Sequence, residues 1–256
     1  MEGSRQCHIS SHIPGAKLLV LFVHGILEGP EQFRPLMKLL ETQGISSAAL
    51  LLPGHGSDGA AFAGSRMRQW QEYTEAAVIH FKKQYPHVII VGHSMGGLLA
   101  MQACQNPLAA PDGIFALGLP LCLGVRYKGV EEVCRAFTGT LAPEHESARA
   151  VLRTCSISHV RLYQCVGWGP QYAALLGLCR RMRQMLPKLN CRMCVVLSAD
   201  DEFVSLKTVS LLRRVRPDFQ VTVLPDSGHF YLSGKDKKVV ERCFLSFLSK
   251  IQSGWK

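Results

Sequence analysis

No apolar run in this 256-residue chain approaches the ~20 residues of a membrane-spanning helix. The first apolar stretch, Leu18–Val23, is too short for a secretory signal and lacks its flanks. A soluble, cytoplasmic protein is the expectation. The ten cysteines lack the regular short spacing of a disulfide framework, so they are expected as free thiols that pack like small hydrophobes. Cys191-Arg-Met-Cys194 stands alone, with no second C-x-x-C and no paired histidines to complete a zinc set. On a strand, residues three apart also face opposite ways. The sequence therefore implies no metal and no cofactor. Internal repeats and low-complexity segments are missing as well.

Negative charge is also scarce, with 19 acidic against 29 basic residues and a formal net charge of +10. The imbalance peaks between residues 121 and 192, where eleven basic residues face four acidic ones. These cations are dispersed and match no nucleic-acid-binding module, so nucleic acid is not an expected partner. A solvated basic surface is the simpler reading. Attraction to an anionic membrane or substrate is the sharper one. With 47% hydrophobic and 19% charged residues, the chain can bury the core of one large α/β domain.

Alternation of element types sets the fold class. Residues 17–23, 46–52, 88–91, 114–119, 193–198 and 219–224 read as strands, and 31–43, 66–84, 95–105, 205–216 and 236–251 as helices. This order predicts a mostly parallel sheet flanked by helices. Residues 1–16 read as a polar arm. Residues 121–190 interrupt the alternation, helix-forming in patches and carrying Tyr127, Phe137, Tyr163, Trp168 and Tyr172. Structureless loops of that length are rare, so the segment is expected to be a small helical insertion between core segments 1–120 and 191–256.

Parallel strands all end on one edge, where ligands collect. Four loops there carry chemically suggestive residues: His24-Gly25-Ile26, Gly92-His93-Ser94-Met95-Gly96, Asp200-Asp201 and Ser227-Gly228-His229. The second is a strand-to-helix corner whose glycines leave room for a serine at the apex. A serine hydroxyl becomes nucleophilic only with a base in reach. His229, with an ordinary pKa near 6.5, fits that task, and a carboxylate fixes its tautomer. Asp200 and Asp201 compete for this last role, with Asp201 favoured. The backbone amides of Ile26 and Met95 are the candidate donors to a developing oxyanion.

The motifs Val23-His-Gly-Ile26, Pro53-Gly-His-Gly56, Gly92-His-Ser-Met-Gly-Gly97, Asp201-Glu-Phe-Val204 and Ser227-Gly-His229 resemble the α/β-hydrolase superfamily, most closely its compact bacterial carboxylesterases and monoacylglycerol lipases. The resemblance implies a Ser94-His229-Asp201 triad, an oxyanion hole at Ile26 and Met95, and residues 121–190 as a helical cap over the site. It also implies hydrolysis of short acyl esters or monoacylglycerols through an acyl-enzyme. Lysophospholipase, thioesterase, acyltransferase and a ligand-binding protein without turnover are the alternatives on the same fold. The chain departs from the family's pattern at Glu28, where the first loop often carries glycine.

Overall fold

The computed structural model describes residues 6–157, 160 and 162–255. Strands β1 (Ile9–Ser11), β2 (Leu18–Val23), β3 (Ser46–Ala49), β4 (His87–His93), β5 (Gly113–Leu117), β6 (Arg192–Ser198) and β7 (Gln220–Leu224) form one sheet. Their spatial order is β1-β3-β2-β4-β5-β6-β7, parallel except for β1, which pairs antiparallel with β3. Helices α1 (Arg34–Thr42), α2 (Gly59–Gly64), α3 (Met67–Lys82) and α4 (Met95–Ala103) lie between β2 and β5 in sequence. Between β5 and β6 come α5 (Tyr127–Phe137), α6 (Glu146–Thr154) and α7 (Gly169–Met185), with a 3-10 turn over Leu162–Trp168. Helices α8 (Lys207–Val215) and α9 (Gly234–Gln252) complete the chain. The side chains of Phe137 and Tyr163 lie outside the described residues.

Continuous apolar strands follow from burial on both faces. Along β2, Leu19, Leu21 and Val23 join a cluster containing Trp70, Leu98 and Leu99. Leu18, Val20 and Phe22 join the opposite cluster, with Leu40, Phe244 and Phe247. Strand β4 divides the same way, Val88 and Ile90 against Ile89 and Val91. Among the described residues, no helix is long and apolar enough to cross a membrane.

Two local expectations need correction. Residues 9–11 belong to the sheet, although Ile-Ser-Ser has too little apolar alternation to announce an edge strand. The helix expected over 31–43 is divided into a 3-10 turn at Pro30–Phe33 and α1, because Pro35 lacks an N–H and starts a new first turn.

The corner between β4 and α4 is tightly packed by backbone. Ser94 has φ 50° and ψ −119°, and only one other non-glycine residue described, Leu27, has positive φ. A Cβ on Gly96 would be driven into the Val23 carbonyl, and one on Gly92 into the backbone of Gly96 and Gly97. These are backbone obstacles that no rotamer change relieves. Gly96→Ala is therefore expected to lower stability by about 3 kcal/mol or more, read as a fall in the urea midpoint.

Candidate active site

The corner presents Ser94 at the carboxyl edge of the sheet, its amide donating to the Leu117 carbonyl at 2.9 Å. Met95 follows as the first residue of α4, so its N–H has no acceptor within the helix. Across the edge, the loop after β6 brings Asp201 inward. Asp201 Oδ1 accepts from the Phe203 and Val204 amides at 2.8 Å each, and Oδ2 lies 2.9 Å from His229 Nδ1. Asp200 points the other way, its side chain 74% exposed and 3.5 Å from Arg126. Of the two aspartates, Asp201 is the one that meets His229.

Ser94, Asp201 and His229 are all buried, at 6%, 3% and 8% exposure. Burial alone would lower the His229 pKa, but the adjoining Asp201 carboxylate outweighs it and the pKa is raised above 6.5. Burial alone would raise Asp201, yet His229 and the two backbone donors hold it below the ordinary aspartate value. The His229 loop is secured by two more carboxylates. The His229 amide donates to Glu202 at 2.8 Å, and the Ser227 hydroxyl to Asp236 at 2.6 Å. Sequence reasoning missed Glu202 and Asp236, because their partners are set by how two loops fold rather than by any motif.

Ser94 and His229 open onto one cavity of about 470 Å³. Ile26 and Leu27 line it from the first loop, Phe203 and Phe230 flank it beside His229, and Val133, Cys134, Trp168, Tyr172 and Leu175 line it from the inserted helices. A second cavity, about 250 Å³, reaches Asp201, His229 and His93 but not Ser94. Glu28, His93 and His229 each offer a possible metal-ligand atom within 4.8 Å of the others, the only such group among the described residues. His93 already bridges the Glu28 carboxylate and the His229 main-chain carbonyl, and the His229 ring bonds Asp201 through Nδ1.

The two histidines of the first loops are also enclosed, and both serve the backbone. His24 Nε2 accepts from the Leu52 amide at 3.0 Å, and His55 Nε2 from the Leu27 amide at 3.3 Å. They thereby hold the segment carrying Ile26 and the positive-φ Leu27. Accepting these bonds requires an unprotonated nitrogen. Burial accordingly pushes His24 down to about 4, and His55 well below its ordinary value.

A protein with this sheet and a serine at its strand-to-helix corner is an α/β hydrolase in architecture. The chain belongs to the alpha/beta hydrolase family, whose model matches residues 20–242. No curated protein matches it. Among solved structures it is similar to one from a study of LipS and LipT, two metagenome-derived lipolytic enzymes, at 19% identity and TM-score 0.73, over 96% of this chain and 98% of that one. It is likewise similar to a soluble variant of monoglyceride lipase from Saccharomyces cerevisiae, at 18% identity and TM-score 0.69, over 95% and 90%. A monoacylglycerol lipase of Paleococcus ferrophilus follows at 15% identity and TM-score 0.66, over 95% and 97%. At these identities the likeness is one of fold.

The histidine clamp gives a signed pH dependence. An unfolded His24 binds its proton near pH 6.5 and the folded one only near 4, so its contribution to stability is full above 6.5 and is lost as pH falls toward 4. His24→Gln removes that titration. The stability gap between wild type and this variant should narrow on acidification below pH 6.5, by up to about 1.4 kcal/mol per pH unit. Urea melts at a series of pH values measure it, and a constant gap would contradict a neutral, buried His24.

Proposed function

We propose that this chain is a serine hydrolase that cleaves carboxylic esters of aliphatic acyl chains, short acyl esters or monoacylglycerols. One observation carries the reading: a serine at a strained corner and a histidine bonded to a buried aspartate open together onto a cavity lined mainly by aliphatic and aromatic side chains. In this reading His229 Nε2 takes the proton of Ser94 Oγ as that oxygen attacks the acyl carbon. The Ile26 and Met95 amides face the oxyanion, and the alkoxide leaves with the proton from His229. Water, activated by the same histidine, then releases the acid and frees Ser94.

Asp201 has two tasks here. It holds Nδ1 protonated so that Nε2 is the basic nitrogen, and it stabilises the imidazolium that forms. The raised His229 pKa means that the neutral, competent base accumulates only above pH 6.5. The inserted segment supplies most of the acyl wall, while several of its apolar side chains stay open to solvent: Val125 at 62%, Leu176 at 56% and, beside the cavity lining, Val166 at 82%. With eleven basic residues against four acidic ones between residues 121 and 192, we propose that the inserted segment draws its substrate from an anionic lipid surface. Binding to anionic vesicles should weaken with added salt, and equal partitioning onto neutral vesicles would count against it.

A fluorophosphonate should label wild type once and leave Ser94→Ala unlabelled; equal labelling of both would end the proposal. The pH profile of kcat/KM should rise through an apparent pKa above 6.5, and Asp201→Asn should cost about 10²–10⁴-fold in kcat. Over p-nitrophenyl esters from acetate to octanoate, kcat/KM should climb as the chain fills the cavity, by roughly fourfold per methylene while space remains. A monoacylglycerol belongs in the same series. Activity confined to acetate would show that the cavity does not take the acyl chain.

A further inference from the structure

Two buried ionisable side chains beside Ser94 have no part in the chemistry above. Glu28 and His93 are 1% and 6% exposed, and Glu28 Oε2 lies 2.8 Å from His93 Nδ1. Desolvation offsets most of the attraction within so enclosed a pair, so stability alone gives little reason for it. Its other bonds are more informative. The same Oε2 accepts from the Gly25 amide at 2.6 Å and from Gln32 Nε2 at 2.8 Å. Three donors on one oxygen call for a full negative charge, and His93 and Gln32 keep the Glu28 pKa below its ordinary value although burial opposes them.

On the far side, His93 Nε2 lies 3.1 Å from the His229 carbonyl oxygen. Carboxylate and carbonyl are both acceptors, so the ring satisfies them together only as a double donor. The Glu28 backbone is tied in turn to the segment after α6, where Ser156 Oγ donates to its carbonyl at 2.5 Å and Cys155 forms a β-bridge with it. Each joint therefore sits next to a reacting part. Gly25 precedes Ile26, His93 precedes Ser94, and the carbonyl belongs to His229 itself.

We propose that Glu28 and His93 form a positioning strut that holds the Ile26 amide loop and the His229 main chain in register across Ser94. It deepens the ester-hydrolase reading and rests on Ser94 and His229 being the nucleophile and base. Glu28 takes the place of a glycine common in the first loop of the family and uses it to bond the histidine beside the nucleophile. The strut acts through the placement of other groups, and neither member touches the reacting atoms.

Substitutions can cut its two ends separately. His93→Asn keeps an N–H near the Nδ1 position for Glu28 and has no donor toward the His229 carbonyl. Glu28→Gln removes the charge on which the three donors converge. The readouts are the rate of Ser94 labelling by a fluorophosphonate, and kcat and KM for p-nitrophenyl butyrate per labelled site, at a temperature where circular dichroism shows each variant folded. Both variants should lose at least tenfold in labelling rate and kcat with KM within twofold. The double variant should lose no more than the worse single one, because both cut the same connection. Leu248→Ala, a core change on α9, should lower the melting temperature and keep wild-type constants per site.

If His93→Asn and Glu28→Gln keep kcat per site within twofold and lose only thermal stability, the pair is structural and the strut is refuted. Losses that multiply in the double variant refute it as well. Should Glu28→Gln fail to fold, His93→Asn decides alone. Labelling of wild type separates the two layers: a labelled wild type with an unaffected His93→Asn removes the strut only, whereas an unlabelled wild type removes the reading beneath it too.

Discussion

The whole site depends on a single backbone constraint, the reversal of β4 into α4 at Ser94. A non-glycine residue at φ 50° and ψ −119° costs about 1–3 kcal/mol and persists only where its surroundings enforce it. Here the enforcement comes from close backbone packing, with Gly96 against the carbonyls of Val23, the last residue of β2, and His24 just after it, and Gly92 against Gly96 and Gly97. Strands β2 and β4 are adjacent and parallel, so the same contact that forces the corner also sets the His24–Glu28 loop beside the serine. Ser94 and the His24–Glu28 loop are thus placed by one packing decision in the sheet.

Four buried histidines surround this corner, and their partners give them different tasks. His24 and His55 accept backbone N–H groups, and burial keeps them neutral. His229 meets the Asp201 carboxylate at 2.9 Å, which raises its pKa instead. His93, enclosed like the others, stands between a carboxylate and a carbonyl. One residue type under nearly equal burial thus has quite different surroundings, according to whether acceptors or donors face its two nitrogens.

Much of this was legible in the chain. The parallel sheet followed from alternating apolar runs, and the serine, aspartate and histidine were readable because each falls just past a strand on an edge that the topology makes common. Spacing favoured Asp201 over Asp200 without settling the choice. Their roles divide only when the loop turns through the Phe203 and Val204 amides and sends one carboxylate inward. Glu28 stood out as a departure from the family's pattern, but its bond to His93 spans 65 residues and leaves no local signature. The same holds for Glu202, 27 residues from the amide it secures. The walls of the cavity were illegible for a related reason: they arise from how α5 and α7 meet the core, and periodicity reports only which face of each helix is apolar.

The most direct test of the account is to catch the covalent intermediate it requires. A reaction with p-nitrophenyl octanoate, quenched in acid within the first turnovers and digested, should yield one octanoyl group on the peptide containing Ser94, and His229→Ala should abolish it. Ester hydrolysis with no acyl adduct on that peptide, or with the adduct on another residue, would contradict the account.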